Sequence, residues 1–580
     1  MMFESQYQIM GDTWQAFERN LCRLLTYEGF ENVRLVGQTN DHGADVTATK
    51  VTPNGRKRWL FQAKHWKKPV GESVVQETID AYEYSAAIPV IVSSSGFESS
   101  VITHQRALHA NSIPLQLWDA ATLINRTKKL PDRFTNTRSP RPYQEPAITE
   151  IVNAFYSGYD NKALVVMATG LGKTFVAAES VRRIRANHKC QVLVCAHTND
   201  LVYQLERAFW PFLKPSESTL VWNAYERPTK EQLDSTDFAF ACVDSVAAWL
   251  QAGNELPEYG IFLVDECHHV GSSMYNRVFE ALHAGKPGGA FALGLTATPW
   301  RPDEVDLAAY FGEPRVSIDM VMGLKNGFLA NVDYRMFTDN INWDSLKNIK
   351  GKSFSPKQIN RTLFINQWDD SVVYMLRGVW EEQQNPRAIV FCGTIEHALI
   401  MRDKINSLGF CKAEAIYSGT SGGGYTPLSQ YQRNRILSDF SEGLINVVCA
   451  VDIFNEGIDV PDVNILVFQR VTHSRRIFIQ QLGRGLRISD GKDKVIVLDF
   501  VSDIRRFAAG LNLKDSLEGH ERSSTRIDLP NKVSFMKVGG DDPGTETFLR
   551  QWLDDVVAIE ESDEDASVLK FPPLLPGGRV

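Results

Sequence analysis

"ALVVMATGLGKTFVAAE", Ala163–Glu179, sets the architecture of this chain. An apolar run reads as a buried strand, a glycine-rich turn follows, and a helical stretch opens directly after it. In that order, backbone N–H groups can curl around phosphates while a helix N-terminus faces the anion. Thr169, Gly170 and Gly172 would shape the loop, Lys173 would reach the terminal phosphates, and Thr174 would ligate Mg2+. The strict six-residue loop calls for glycine at 167, where Met stands, so the motif needs company. It has it about 90 residues on, where "YGIFLVDECHH", Tyr259–His269, ends an apolar strand in two acids. Asp265 would hold Mg2+ there and Glu266 would polarise the attacking water.

The same rhythm extends in both directions. From about 140 to 335, "KALVVMAT", "QVLVCAH", "FAFACV", "YGIFLVDE" and "AFALGLTAT" alternate with helical stretches. Between about 385 and 500, "RAIVFCG", "INVVCAV", "VNILVFQ" and "DKVIVLDF" repeat the pattern. Short buried strands alternating with helices imply parallel sheets covered on both faces. The fold class is therefore α/β, with two tandem parallel-sheet domains. The predicted divisions are an N-terminal α/β domain at 1–130, a linker at 131–139, lobes at 140–335 and 336–511, and a helical, acidic tail at 512–580. In that tail "TFLRQWLDDVVAIEE" reads as a helix.

Over roughly 140 to 505 the chain resembles a superfamily-2 helicase or translocase, which implies that the two domains are RecA-like lobes. "RPYQ" resembles the adenine-reading motif and implies Gln144 for the base. "CAHTNDLVYQ" and "CVDSV" resemble strand-contacting motifs. "DECHH" is the DExH box, with His268, and "GLTATPWR" resembles the coupling motif, with Thr296 and Thr298. "IVFCGT", "VVCAVDIFNEGIDVP" and "QQLGRGLR" resemble the motifs of the second lobe, in family order. The "NEGIDVP" and "LTATPWR" variants lean toward the restriction and DNA-repair branch rather than the DEAD-box RNA branch. Arg484 and Arg487, three apart on a predicted helix, would deliver positive charge to the phosphates from the opposite lobe, with Gln480 on the same face. Gly457 and Asp459 would sense the nucleotide. Cys267 and His269 read as packing residues.

A second stretch, "LFQAKHWKKPVG" (Leu60–Gly71), carries different chemistry. In a strand, Gln62 and Lys64 share one face. Asp45 heads the preceding strand, so two neighbouring strands would gather an anionic oxygen, an amide oxygen and a cation. Cutting a phosphodiester needs oxygen ligands for Mg2+ and a cation near the attacking water or the developing charge. The spacing "W..FE..L..LL...GF", "GADV", "FQAKHW", "VQE" across 11–128 resembles the Mrr-type branch of the PD-(D/E)xK nucleases, a restriction-endonuclease-like α/β fold in which Gln commonly replaces the second acid. The resemblance implies Glu18 as a further metal-site acid alongside Asp45 and Gln62, with Gln76 in support. Asp41 competes with Asp45 for the carboxylate role. His42 and His65 read as surface or phosphate contacts, and Arg56, Lys57, Arg58, Lys67 and Lys68 as a basic face for the phosphate backbone.

Composition agrees with a globular protein: hydrophobic residues make up 43% and charged residues 23%. The net charge of −8 is concentrated in the last 40 residues, which hold ten acids and three bases, so it does not exclude nucleic acid. None of the eight cysteines forms a CxxC pair, which argues against zinc and disulfides. With no long apolar run and no basic, apolar leader, the expected location is the cytoplasm. The expected ligands are ATP and Mg2+. The expected partner is double-stranded or branched DNA, with a partner subunit or a second copy completing double-strand cutting.

Overall fold

The computed structural model describes residues 11, 13–35, 45–53, 55–85, 87–130, 139–158, 161–297, 306–318, 322–323, 326–338, 367–417, 425–428, 430–451, 463–469, 485–486, 488, 492, 494–500 and 533–537. The chain divides into two compact units. One comprises residues 1–167, 172–317 and 429–438; the other comprises 168–171, 318–428 and 439–580.

The first unit opens with helix α1 (Trp14–Tyr27), capped by the Thr13 hydroxyl, which accepts the Ala16 N–H at 3.1 Å. Its apolar stripe reads as one-sided, yet every residue from Phe17 to Leu25 is buried. A mixed five-stranded sheet follows, ordered β1 (Glu31–Leu35), β2 (Val46–Thr52), β3 (Gly55–Lys64), β4 (Ile88–Ser93) and β5 (Gln116–Trp118). β3 runs antiparallel to β2 and parallel to β4. Its side chains alternate as the sequence predicts. Phe61 packs against Trp118 and Phe30, with ring centroids 5.3 and 6.0 Å away, while Gln62 turns to helix α2 (Glu72–Ser85). Val74, Val75, Ile91 and Leu115 form a small core with Val101 of α3 (Ser99–Ala110), and α4 (Ala120–Thr127) closes the domain.

Within the same unit, a seven-stranded sheet runs in the order β12 (Pro314–Ile318), β6 (Lys162–Met167), β11 (Phe291–Thr296), β10 (Tyr259–Val264), β7 (Gln191–Ala196), β9 (Phe238–Cys242), β8 (Thr219–Trp222). The pairs from β6 to β8 are parallel. Helices include α5 (Gln144–Ser157), α6 (Lys173–Asn187), α7 (Asn199–Phe209), α8 (Lys230–Ser235), α9 (Val243–Gln251), α10 (Ser273–Ala281) and α11 (Leu307–Phe311). The near-continuous apolar strands follow from helical cover on both faces. β6, β11 and β10 are neighbours, so their C-terminal ends lie along one edge, where open α/β sheets bind ligands.

The second unit holds a parallel sheet in the order β15 (Ala413–Tyr417), β16 (Val447–Val451), β14 (Ala388–Phe391), β17 (Ile465–Phe468), β18 (Lys494–Asp499), β13 (Asn331–Thr338), β19 (Val533–Lys537). α12 (Gln367–Trp380) and α13 (Ile395–Ser407) contribute to its core. β13 straddles the expected 335/336 boundary and joins this sheet. β19 lies inside the stretch expected to be a helical tail and pairs with β13, so at least this part of the tail is strand. The helix expected over 547–561 falls outside the described residues. Among the described residues, no helix is long and apolar enough to cross a membrane.

Candidate active sites

The loop after β6 is built on two left-handed glycines, Gly170 at φ +95° and Gly172 at φ +85°. A Cβ on Gly172 would stand 2.6 Å from the Gln144 side-chain nitrogen, on a backbone at φ +85° that strains any other residue. Gln144 is buried, and its amide oxygen accepts the Arg141 N–H at 2.9 Å. The sequence-predicted base reader is thus fixed directly over the loop. Lys173 and Thr174 form the first turn of α6.

Lys173 is committed to an acid: its ammonium donates to Glu266 Oε1 at 2.9 Å, and both side chains are largely buried. Glu266 adopts a left-handed backbone, φ +48° and ψ +50°, which costs a non-glycine residue about 1–3 kcal/mol. Burial opposes ionisation of Glu266, but Lys173 and His268 outweigh it and hold the carboxyl well below its usual range. Asp265 behaves oppositely: burial and then the Glu266 charge push its carboxyl up to about 6. Its Oδ1 is buried with no hydrogen-bond partner. An orphaned anionic oxygen at the edge of the phosphate loop fits a hydrated divalent cation. His268 places Nδ1 3.3 Å from Glu266 Oε2 and 3.3 Å from the hydroxyl of Thr296, which ends β11 between the other two strands. Thr296 therefore touches the DECHH segment. His269 stacks on His197, centroids 3.9 Å apart, and Cys267 is fully buried.

In the N-terminal domain, the β2–β3 register pairs Val46 with Phe61, and the Asp45 N–H donates to Phe61 O at 2.8 Å. Asp45 Oδ2 accepts the Ala63 N–H at 2.6 Å and lies 3.9 Å from the Lys64 ammonium. Glu18 arrives from α1. Its carboxyl is pushed up to about 9, first by burial and next by the charge of Asp45, with Lys64 opposing. Asp45 and Lys64 therefore meet, and both of their charges reach the buried Glu18 carboxyl. That donor set suits a hard divalent ion with oxygen ligands. Among the described residues, no three of His, Cys, Asp and Glu group as metal ligands.

Gln62 departs from expectation. It is fully buried, its nitrogen donates to Glu77 at 2.9 Å, and its oxygen accepts the Thr78 hydroxyl. The amide expected to turn toward the ion beside Asp45 and Lys64 is instead gripped by α2, because a buried amide must satisfy both its donor and its acceptor. Glu77 and Thr78 were not singled out in the sequence; "VQE" pointed one residue early, to Gln76. His65 packs on Phe17, ring centroids 5.5 Å apart. Lys67, Lys68, Arg56 and Lys57 are exposed, Arg56 pairing with Glu31 at 2.9 Å. Asp41, His42, Thr298, Gly457, Asp459, Gln480, Arg484 and Arg487 lie outside the described residues.

Sequence-family comparison places three matches along the chain. Residues 11–127 match the Mrr-type catalytic family described as "Restriction endonuclease". Residues 137–301 match "Type III restriction enzyme, res subunit", and 370–489 match "Helicase conserved C-terminal domain". The "Type I restriction enzyme EcoAI endonuclease subunit" of Escherichia coli is 26% identical over 404 residues, which cover 64% of this chain and 47% of that protein. The "General transcription and DNA repair factor IIH helicase/translocase subunit XPB2" of Arabidopsis thaliana is 25% identical over 371 residues, covering 60% and 44% respectively. The chain thus spans about half the length of these curated relatives. Among solved structures, "ATP-dependent Type ISP restriction-modification enzyme LlaBIII bound to DNA" matches with a TM-score of 0.54 at 15% identity, covering 93% of this chain and 41% of that one. At that identity the likeness is one of fold. The chain thus carries an Mrr-like restriction-endonuclease domain followed by matches to the res-subunit and C-terminal domains found in restriction-type helicases.

Proposed function

We propose that the chain is an ATP-driven DNA helicase or translocase coupled to a Mg2+-dependent endonuclease, acting in the cytoplasm in prokaryotic restriction or antiphage defence. The observation that carries the cutting half is the Lys64 ammonium 3.9 Å from Asp45 on neighbouring strands, with the charges of both felt by the Glu18 carboxyl. In the motor, Gln144 would read the base, the glycine loop would cradle the phosphates, Thr174 and Asp265 would hold Mg2+, and Glu266 would orient the attacking water. Gly457, Asp459, Gln480, Arg484 and Arg487 would complete the nucleotide site. In the cutter, Mg2+ when bound would polarise the scissile phosphate and its attacking water. Glu18 and Asp45 would hold the ion, Lys64 would offset developing negative charge, and Gln62 would brace the site through Glu77 and Thr78. DNA, double-stranded or branched, is the substrate, with a second subunit or a second copy as partner. The test is cleavage and ATP hydrolysis by wild type, Lys64→Ala and Glu266→Gln on linear, circular, branched and modified DNA.

The grip of α2 on Gln62 favours one alternative, in which the nuclease fold only clamps DNA for a repair-type helicase. Absence of Mg2+-dependent cleavage on every substrate, with DNA-stimulated ATP hydrolysis retained, would establish that alternative.

Two further outcomes follow from this geometry. Gly172→Ala forces a left-handed alanine, a cost of about 1–2 kcal/mol, and sets its Cβ against Gln144. If that strain falls on the nucleotide-competent loop, affinity for a fluorescent ATP analogue drops roughly tenfold. Glu18 gives a pH signature. Its folded carboxyl, raised to about 9, binds a proton more tightly than the unfolded one, so metal-free stability falls as pH rises from about 4.5 toward 9. Glu18→Gln removes that loss: without metal the variant melts above wild type at pH 8, and the gap closes near pH 5. A wild-type advantage at pH 8 without metal would refute the assignment.

A further inference from the structure

Next to Glu18 on α1 stands Arg19, whose partners belong to the motor lobe. The buried Arg19 guanidinium forms ion pairs with Glu206 at 3.0 Å and with Glu226. The three side chains are 7%, 3% and 8% exposed. Glu206 lies on α7, the helix that begins inside the "CAHTNDLVYQ" segment, and it also accepts the Thr219 hydroxyl at 2.8 Å. Glu226 accepts the hydroxyl of Tyr203, another α7 residue, at 3.1 Å, and the Arg19 guanidinium sits 5.9 Å over the Tyr203 ring. One turn further along α1, Arg23 donates to the carbonyls of Lys214 and Glu217 at 3.0 and 3.1 Å, and the Tyr27 hydroxyl donates to Leu213 O at 3.3 Å. From the other side, Arg207 of α7 donates to Val33 O at 3.2 Å. The helix that carries the nuclease acid is therefore fastened along its length to the motor lobe, at the helix next to a strand-contacting motif.

An ion pair this well buried is seldom kept for stability, since apolar replacements of similar volume often do as well, and registry is its best-attested use. We propose that Arg19 is a positioning residue that couples DNA engagement at α7 to Glu18, setting the divalent-ion site of the nuclease from the motor lobe. This rests on the nuclease reading above. Adjacent residues on one helix are not free to move apart, so a shift of α7 on DNA is felt at Glu18 through Arg19. Groups that orient a metal ligand typically contribute about 10–100-fold to metal affinity.

The test uses the full chain without nucleotide, so that Thr174 and Asp265 lack the phosphates that would complete their ion site. Mn2+ is the probe, read by electron paramagnetic resonance, together with hydrogen exchange of residues 14–27 with and without linear duplex DNA. Removing Arg19 alone strands two buried carboxylates, so the informative variant is Arg19→Met/Glu206→Gln/Glu226→Gln, which leaves no unpaired charge. Arg19→Lys, which keeps the charge and loses the fork, is its conservative partner. The triple variant is expected to melt near wild type and to hydrolyse ATP without DNA at the wild-type rate. Its Mn2+ affinity falls roughly tenfold or more, its α1 exchange no longer responds to DNA, and Arg19→Lys lies between. A folded triple variant with wild-type Mn2+ affinity and an intact DNA response in α1 overturns the proposal. A wild type that binds no Mn2+ overturns the nuclease reading instead, and the exchange response then decides the coupling alone.

Discussion

Glu266→Gln stalls the motor with its nucleotide in place. The carboxylate is held ionised by Lys173, 2.9 Å away, and by His268, on a backbone that Glu266 tolerates only at a cost. Glutamine keeps the size and a hydrogen-bond acceptor but cannot take a proton from water. Removing a positioned general base costs about 10²–10⁴-fold in rate. ATP hydrolysis should fall by that factor on every DNA substrate. Affinity for a fluorescent ATP analogue should hold or tighten, because the ammonium loses a charged competitor for the phosphates. Stopped-flow binding with phosphate release separates the two quantities. Equal losses in binding and turnover would place Glu266 among loop-supporting residues and leave the attacking water without its base.

Lys64→Ala is the second large effect. The ammonium lies 3.9 Å from Asp45 and, ahead of Arg19, restrains the rise of the Glu18 carboxyl. Without it, the phosphate being cut loses a fixed cation where charge develops, a loss of roughly 10²–10³-fold for a preorganised donor. The two carboxyls keep their hold on a divalent ion, and their mutual repulsion makes a cation more welcome. Cleavage should therefore collapse while Mn2+ affinity stays level or rises, with DNA-stimulated ATP hydrolysis unchanged. Parallel loss of Mn2+ binding would mean that Lys64 props the site rather than acting on the phosphate.

Much of this was readable along the chain because the chemistry sits on strand ends. Lys173, Asp265 and Glu266 follow apolar runs that could only be buried strands, and parallel order brings those ends to one edge. Asp45 and Lys64 were readable for the same reason, since a two-residue alternation and a neighbouring strand settle who faces whom. What escaped depends on contacts between elements. Nothing near Gln62 announces that Thr78 and Glu77 will take its amide; that follows from how α2 lies on β3. Arg19 and Arg23 belong to no motif, although their four-residue spacing, extended by Tyr27, is a usable sign of a second, polar docking face. β12, with three of its five residues exposed, lacks the apolar run that marks a central strand. β19 is short, with only Val533, Phe535 and Met536 apolar, and it stands just ahead of the acidic last 40 residues.

The fastening of α1 to the lobe bears on what cut DNA should look like. A blade hung on a flexible tether samples a cloud of positions and leaves ragged ends. A blade fixed to one lobe by buried ion pairs and backbone hydrogen bonds keeps a constant offset from that lobe's footprint. Its fragments should end at a defined number of nucleotides from wherever the enzyme halts, so end-sequencing of products would reveal a ruler.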